Sequence, residues 1–291
     1  MKYLVSFVAA ALSGITIAAV VTIATASPAT PRHETLPAVP PLPALSHQGH
    51  VEHAGARIWY GMVGAGDPVI LLHGGRASSL TWGHQIAALV AGGHRVILID
   101  SRGHGRSTLG DRGLSYALMA QDVVAVMDRL RLHRAALVGW SDGAIVGLAV
   151  AQQQPRRVSR LFAFGINVNR RHLVAPVESP TLALVGPRLM VDYQAVASDP
   201  QAFVQLSEAV DAMQDKESDC SDAQLASIRG PRVAIVAADH DEFITMRHAE
   251  YVTAALRDAR LVVLDDVSHF APWQDPAGFN AALLDFLDRQ D

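Results

Sequence analysis

The sequence has little of several residues that mark specialised classes of protein. Its single cysteine, Cys220, excludes an internal disulfide, a cysteine-rich zinc site and an iron–sulfur cluster. A formal net charge of −4, from 24 basic and 28 acidic residues, provides neither the basic surface that nucleic acid requires nor an acidic tail. Half of the 291 residues are apolar, which is the balance of an ordinary globular protein. We therefore expect no nucleic-acid partner.

The first 26 residues have the composition of a targeting segment. Lys2 is followed by an apolar stretch that ends in Ala24-Thr25-Ala26, the small residues that a signal peptidase prefers. The pattern predicts a signal peptide at residues 1–26, cleavage before Ser27 and export to the periplasm or the exterior. The stretch also exceeds the roughly 20 residues that span a bilayer. An uncleaved N-terminal anchor is therefore the alternative, and membrane contact is expected only through this segment.

Residues 27–47 are rich in proline and have no obvious apolar periodicity. The prolines are Pro28, Pro31, Pro37, Pro40, Pro41 and Pro43. Such a composition is typical of an extended, disordered linker. The folded domain is accordingly expected over residues 48–291, a length sufficient for one sizeable core.

Apolar runs and amphipathic stretches alternate through this domain. A hairpin over 51–53 and 57–63 precedes continuous apolar runs at 68–72, 95–100, 135–139, 157–164, 232–237 and 260–264. Helical patterns occupy 83–91, 116–130, 143–153, 246–256 and 276–287. Short continuous apolar runs suit strands that are buried on both faces. The alternation predicts an α/β fold with a doubly wound, mostly parallel sheet, whose active-site loops follow the carboxyl ends of the strands.

One segment interrupts the alternation. Residues 168–229 separate two predicted strands and are punctuated by Pro176, Pro180, Pro187 and Pro200. This length is too great for a plain connection. We expect a small helical cap here, inserted over a pocket for a small molecule.

The strongest chemical motif is Gly139-Trp140-Ser141-Asp142-Gly143. It directly follows the apolar run and directly precedes a helix rich in small residues. A sharp strand-to-helix turn strains its central residue, and side chains at the flanking glycines would collide with neighbouring backbone. The turn would present the Ser141 hydroxyl at the positive end of a helix. The motif predicts Ser141 as a catalytic nucleophile.

A serine nucleophile requires a base, and His269 is the candidate. It lies in Val267-Ser268-His269-Phe270, between the last predicted strand and the last predicted helix. His94 and His104 are the main alternatives, and the position of His104 before the nucleophile favours a structural role.

The base in turn requires an orienting carboxylate. Asp241 follows a predicted strand within Ala238-Asp239-His240-Asp241-Glu242. The acid usually lies three residues after a small residue that closes the strand, which favours Asp241. Asp239 and Glu242 are close competitors.

The chain order Ser141, Asp241, His269 is that of the α/β-hydrolase fold. From about residue 50 to its end the chain resembles that superfamily, including His73-Gly74-Gly75 and the glycine-rich loop around Gly103 and Gly105. The Gly-Trp-Ser-Asp-Gly motif resembles the branch of serine esterases and of lactone or amide hydrolases, such as valacyclovir-hydrolase-like enzymes. Haloalkane dehalogenases and epoxide hydrolases have an aspartate where this chain has Ser141, which disfavours those chemistries.

The resemblance implies the remaining parts of the site. The backbone N–H groups of Gly75 and Asp142 would form the oxyanion hole, with Arg76 as an alternative donor to Gly75. No metal and no cofactor is implied. The Asp142 side chain could bind a substrate amine or only pack against the turn. Large aromatic residues could line the substrate pocket or simply fill the core; they are Trp82, Trp140 and Phe270.

The sequence as a whole predicts an exported serine hydrolase that cleaves a small-molecule ester through an acyl-enzyme. The same triad could instead hydrolyse a lactone, an amide or a C–C bond, or perform perhydrolysis, because function depends on the site and not on the fold. A small-molecule receptor with slow turnover is a further alternative. The oligomeric state is left open.

Overall fold

The computed structural model describes residues 30–172, 178–217 and 220–289. The predicted signal segment and the first residues of the predicted linker lie outside these ranges. Within them, no helix is both long enough and apolar enough to cross a membrane.

A single twisted sheet organises the described part of the chain. Its strands are β1 (His47–His53), β2 (Ala56–Gly64), β3 (Asp67–Leu72), β4 (His94–Ile99), β5 (Ala135–Trp140), β6 (Val158–Phe164), β7 (Arg232–Ala238) and β8 (Ala259–Leu264). They lie in the order β1-β2-β4-β3-β5-β6-β7-β8. β1 and β2 form an antiparallel hairpin, and β3 to β8 are parallel. The predicted doubly wound, mostly parallel sheet is confirmed.

Helices cover both faces of this sheet. The helices outside the cap are α1 (Gly83–Ala91), α2 (Tyr116–Arg129), α3 (Asp142–Gln153), α7 (Met246–Ala255), α8 (Ala271–Gln274) and α9 (Pro276–Asp288). Apolar residues of α2, α3 and α7 join one core cluster, and those of α1, α8 and α9 join another. The central strands are buried because both faces are covered, which explains their continuous apolar sequences.

The predicted cap segment contains three helices in its described residues. These are α4 (Pro180–Val196), α5 (Phe203–Glu217) and α6 (Asp222–Ser227). The side chain of Ser179 caps α4 by accepting a hydrogen bond from the Leu182 N–H. In the chain the three helices follow β6 and precede β7. They lie at the edge of the sheet where the carboxyl ends of the parallel strands meet.

Residues 31–46, which we call the strap, pack against the domain instead of forming the disordered linker that the sequence predicts. One short 3-10 turn, Arg32–Glu34, is followed by extended chain. Apolar side chains along the strap are partly buried against the core cluster on the α1, α8 and α9 face; they are Leu36, Val39, Leu42 and Leu45. The compact unit accordingly begins at Pro31.

Candidate active site

Ser141 occupies a strained turn between β5 and α3. Its backbone has φ 55° and ψ −121°, a conformation that costs on the order of 1–3 kcal/mol. The neighbouring backbone explains the glycine at position 143, where a Cβ would lie 2.1 Å from the Leu72 carbonyl oxygen. The Ser141 N–H donates to the Phe164 carbonyl at 2.9 Å and fixes the turn to β6. This geometry is that of the predicted nucleophile turn.

His269 and Asp241 form a buried pair. The His269 Nδ1 lies 2.8 Å from the Asp241 Oδ2, with the two side chains 6% and 2% exposed. The other Asp241 oxygen accepts the backbone N–H groups of Phe243 at 2.9 Å and Ile244 at 2.8 Å. These bonds hold Asp241 in one orientation. Because Asp241 binds Nδ1 of His269, the other ring nitrogen, Nε2, is the one that can exchange protons with the serine.

The two competing acids have other partners. Asp239 accepts the backbone N–H groups of Asp266 and Val267 and so shapes the turn before the histidine loop. The Oε2 of Glu242 accepts the His269 backbone N–H at 2.9 Å, and its Oε1 accepts the Thr181 hydroxyl at the start of α4. Glu242 therefore joins the histidine backbone to the cap. No local pattern predicts this contact, because its partners are 27 and 61 residues away.

The pKa of His269 is raised above its ordinary value of 6.5. Burial opposes the charged imidazolium and on its own lowers the pKa, but the charge and hydrogen bond of Asp241 outweigh it, with Glu242 and Asp142 adding to the rise. The site therefore stabilises the imidazolium that forms when the histidine accepts a proton.

Ser141 and His269 line the same cavity. Among the described residues, no hydrogen bond joins the Ser141 Oγ to the histidine ring. The structure therefore brings Ser141 and His269 to one cavity, with Asp241 hydrogen-bonded to Nδ1 of the imidazole.

Gly165, at the end of β6, is a site residue that sequence reasoning missed. It has a φ of 59°, and a Cβ there would lie 2.6 Å from the Cε1 of His269. Only a glycine gives the imidazole this space.

The two predicted oxyanion-hole residues lie next to each other in the lining of the cavity. Asp142 is the first residue of α3, where a backbone N–H has no acceptor within the helix. A Cβ at Gly75 would lie 2.6 Å from the Asp142 Oδ2, which explains why a glycine stands there. Arg76, the alternative donor, also lines the cavity and has a φ of 60°.

The Asp142 side chain is buried and accepts hydrogen bonds from two neutral groups. The Tyr116 hydroxyl lies 2.9 Å from Oδ1, and the Gln214 amide lies 3.0 Å from Oδ2. Burial raises the pKa of Asp142, and these two bonds, together with the charges of Arg76 and His269, act against the rise. Neither hydrogen-bond partner could be predicted, because Tyr116 and Gln214 are 26 and 72 residues away in the chain.

The cavity between the sheet and the cap has a volume of about 570 Å³. Its apolar lining residues include Trp140, Leu182, Val185, Leu189, Phe243, Ile244, Phe270 and Trp273. Its polar lining residues include Arg76, Asn167, Arg170, Gln214 and Asp215 beside Asp142. The cap helix α4 contributes apolar side chains and α5 contributes polar ones, so the cap helices cover the site.

Of the three aromatic residues predicted to bind substrate, Trp140 and Phe270 line this cavity. Trp82 does not belong to its lining. It is fully buried behind Trp140, with the ring centroids 6.2 Å apart in an edge-to-face arrangement. The prediction for Trp82 is therefore wrong, because the residue fills the core beneath the site.

His104, the main competitor for the role of base, lies outside the cavity lining. Burial lowers its pKa to about 3, and its Nδ1 donates to the Arg102 carbonyl. A histidine that stays neutral at ordinary pH and is tied to backbone has a structural role.

The fold and the site together define a class. A doubly wound sheet with a serine on a strained strand-to-helix turn, beside a buried histidine–aspartate pair, is the architecture of an α/β-fold hydrolase. The family model described as "Alpha/beta hydrolase family" matches residues 69–282, and the chain belongs to that family.

Relatives of different specificity share this architecture. The chain is 32% identical to a putative carbamate hydrolase, RutD, of Variovorax paradoxus, over 77% of this chain and 92% of the relative. It is 27% identical to the 2-hydroxy-6-oxo-6-phenylhexa-2,4-dienoate hydrolase of Comamonas testosteroni, over 79% and 91%. A solved structure of Est816, described as an N-acyl homoserine lactone degrading enzyme, is 25% identical with a TM-score of 0.66, over 82% and 100%. The chain is a hydrolase whose bond specificity the family alone does not define.

Proposed function

We propose that the protein is an exported serine hydrolase that cleaves a small carboxylic ester through an acyl-enzyme intermediate. The observation that carries this proposal is the hydrogen-bonded Asp241–His269 pair, which shares a 570 Å³ cavity with Ser141 on its strained turn. A nucleophile, a base and an orienting acid at one cavity are what acyl transfer requires.

In the first step, Nε2 of His269 accepts the proton of the Ser141 hydroxyl as Oγ attacks the ester carbonyl. Asp241 holds the tautomer and stabilises the imidazolium. The N–H groups of Asp142 and Gly75 stabilise the oxyanion, and losing one such donor typically costs about 10²–10³ in rate. The imidazolium then protonates the departing alkoxide, and the ester C–O bond breaks.

In the second step, His269 accepts a proton from water as the water oxygen attacks the acyl-enzyme carbonyl. The second tetrahedral intermediate collapses, and the imidazolium returns its proton to Ser141. The carboxylic acid product leaves with the oxygen of that water. Each proton transfer through a positioned histidine typically contributes about 10²–10⁴ in rate.

The charges of the cavity favour an uncharged or cationic substrate. Arg76 and Arg170 both form ion pairs with carboxylates of α5, Asp211 and Asp215 respectively. Asp142 adds a buried carboxylate whose two hydrogen-bond donors are neutral. An ionised Asp142 would repel a substrate carboxylate, and the two arginines that could receive that carboxylate are already paired with acids of α5.

This charge pattern separates ester cleavage from the C–C cleavage of the dienoate hydrolase. A dienoate carries a carboxylate, and the carboxyl side chain of Asp142 in the cavity disfavours its binding. The apolar lining residues instead suit an acyl or alkoxy chain, because burying each methylene of the substrate contributes about 0.8 kcal/mol to binding.

Hydrolysis of a p-nitrophenyl ester series from acetate to palmitate tests the proposal. Steady turnover by the parent chain and none by Ser141→Ala is expected. Labelling of Ser141 by a fluorophosphonate without ester turnover would move the reaction to lactones, amides or C–C bonds. Folded protein with neither reaction would contradict catalysis and favour the receptor alternative.

A further inference from the structure

We propose that the strap, residues 31–46, positions the catalytic histidine loop against the cap, and that Gln274 and His33 are positioning residues for the reaction. The inference rests on the proposed role of His269 as the base. The strap contains none of Ser141, Asp241 and His269. Any effect of the strap on the reaction must therefore act through the residues that it contacts.

Gln274, in α8, connects the strap to the histidine loop. Its Oε1 accepts the backbone N–H of Ser268 at 2.7 Å, one residue before the proposed base. Its Nε2 lies 3.1 Å from the His33 carbonyl and 2.9 Å from the Thr35 carbonyl. Gln274 is 7% exposed, so these bonds are shielded from water. A shift of the strap is therefore transmitted to the backbone next to His269.

His33 connects the strap to the acid turn. Its ring stacks on the ring of His240 with centroids 3.7 Å apart and an interplanar angle of 12°. Its Nδ1 lies 3.0 Å from the Oδ1 of Asp266, in the turn that leads to the histidine loop. His240 directly precedes Asp241. The strap thus contacts the acid turn and the histidine loop through the same residue.

Arg188 of the cap helix α4 forms the third connection. Its guanidinium donates to the Pro37 carbonyl at 2.6 Å and lies 4.4 Å from the ring centroid of Trp273. Trp273 lines the cavity. Arg188 therefore joins the cap helix both to the strap and to a residue of the cavity lining.

The strap itself is closely fitted to the domain. A Cβ at Gly83, the first residue of α1, would lie 2.0 Å from the Pro40 carbonyl oxygen. Arg32 forms an ion pair with Asp275 at 2.7 Å, directly after Gln274. Together with the partly buried apolar side chains, these contacts hold the strap in one place against the domain.

The physical consequence concerns catalysis more than folding. A displacement of about 1 Å in a catalytic group can cost about 10²-fold in rate. A loosened strap would leave the sheet and the triad side chains present but free the histidine loop to move.

Two variants test this inference in the full chain. Gln274→Glu keeps an oxygen for the Ser268 N–H but removes the N–H donors to the strap carbonyls and to the Ser268 hydroxyl. His33→Ala is therefore the variant that leaves the bonds between Gln274 and Ser268 in place. His33→Ala removes the stack on His240 and the Asp266 contact. His50→Ala, at an exposed histidine of β1, is the matched control.

The measurements are the second-order rate constant for labelling of Ser141 by a fluorophosphonate and the hydrogen-exchange rates of the Ser268 and His269 amides. We expect labelling to fall about 10- to 100-fold in both strap variants, counted per folded molecule. We expect both amides to exchange faster, and the control to match the parent.

Unchanged labelling and unchanged exchange in folded variants, with only a lower melting temperature, would overturn the inference and reduce the strap to a stabilising segment. Absence of labelling in the parent chain would instead contradict the proposed function. The exchange rates would still show in that case whether the strap holds the loop.

Discussion

His269 is held at three points, and each belongs to a different residue. Asp241 binds its ring, Glu242 accepts its backbone N–H, and Gly165 leaves the space in which the imidazole lies. Fixing the ring in this way reduces the freedom that must be lost when substrate binds. Two substitutions separate the electrostatic part of this arrangement from the steric part.

Glu242→Gln tests the electrostatic part. Glu242 contributes to the raised pKa of His269, so removing its charge lowers that pKa. Only the neutral imidazole accepts the serine proton, so activity is lost as pH falls through the pKa. The acidic limb of kcat/KM should therefore lie above pH 6.5 in the parent and at lower pH in the variant.

The matched control is Glu250→Gln, at an exposed position of α7, which removes the same charge away from the site. Its pH profile should superimpose on that of the parent. An acidic limb that stays in place in Glu242→Gln would show that this carboxylate does not act on the histidine.

Gly165→Ala tests the steric part. The new methyl group would meet the imidazole at 2.6 Å and displace it, so we expect kcat to fall about 10- to 100-fold. Gly113→Ala is the control, because Gly113 has a similar φ of 68° with nothing within 4 Å of its added Cβ. Both variants strain the backbone, but only the first should impair turnover. Equal losses of kcat would mean that strain alone is responsible.

At this scale the sequence indicates residues with a local signature and misses those without one. Ser141 is predicted because strand, glycines and helix are adjacent in the chain. Asp241 is favoured over its neighbours by position alone, whereas the hydrogen bonds show which acid contacts the histidine. Gly165 has a role that depends on a residue more than 100 positions away.

Polar contacts at the substrate cavity join the cap helix α5 to residues outside the cap helices. Asp211 pairs with Arg76, Gln214 binds Asp142, and Asp215 pairs with Arg170. The two ion pairs are solvent-exposed, and such pairs are typically worth under about 1 kcal/mol each. Asp142 is the buried acid among these contacts, so its charge is the one that we expect to matter most for the substrate.

Asp142→Asn tests that expectation and leaves the backbone N–H in place. Because burial raises the pKa of Asp142, the comparison belongs on the alkaline side, where this carboxyl is ionised. There the variant should raise kcat/KM for an anionic hemisuccinate ester relative to a neutral butyrate ester by about tenfold, equivalent to about 1.4 kcal/mol. It should lower the relative rate for an amino ester. Asp258→Asn, at an exposed site between α7 and β8, controls for net charge. An unaltered ratio would contradict the proposed charge selectivity.

The apolar residues of the strap have a regular spacing in the sequence, but this spacing is neither that of a helix nor that of a strand. Leu36, Val39, Leu42 and Leu45 recur every three residues among prolines, and three residues is the repeat of a polyproline II helix. Such a spacing places all four side chains on one face, which explains how an extended, proline-rich segment packs against the core.

For the whole molecule, the strand bounds follow closely from the alternation of buried strands and helices, whereas the order of the strands comes from the structure. Every predicted strand from 68–72 onward overlaps an observed one, because strands covered on both faces have continuous apolar sequences. The contacts between the strap, the catalytic loops and the cap could not be predicted, because they join segments far apart in sequence.

Export is the prediction that belongs to the whole molecule. Expression of the full chain in a bacterial host should yield soluble protein outside the inner membrane, with Ser27 as its first residue. N-terminal sequencing of that fraction measures this directly. A chain that stays in the membrane fraction and begins at residue 1 would instead support the anchor.

The central claim is that Ser141, activated by His269, forms an acyl-enzyme with a small ester. The most direct test is a rapid-mixing experiment with p-nitrophenyl butyrate, followed by mass measurement of the quenched protein. The account predicts a burst of p-nitrophenol equal to the enzyme concentration and an adduct of butyryl mass on Ser141, with neither in Ser141→Ala. Equal turnover by the Ser141→Ala variant, or a butyryl adduct on a residue other than Ser141, would contradict it.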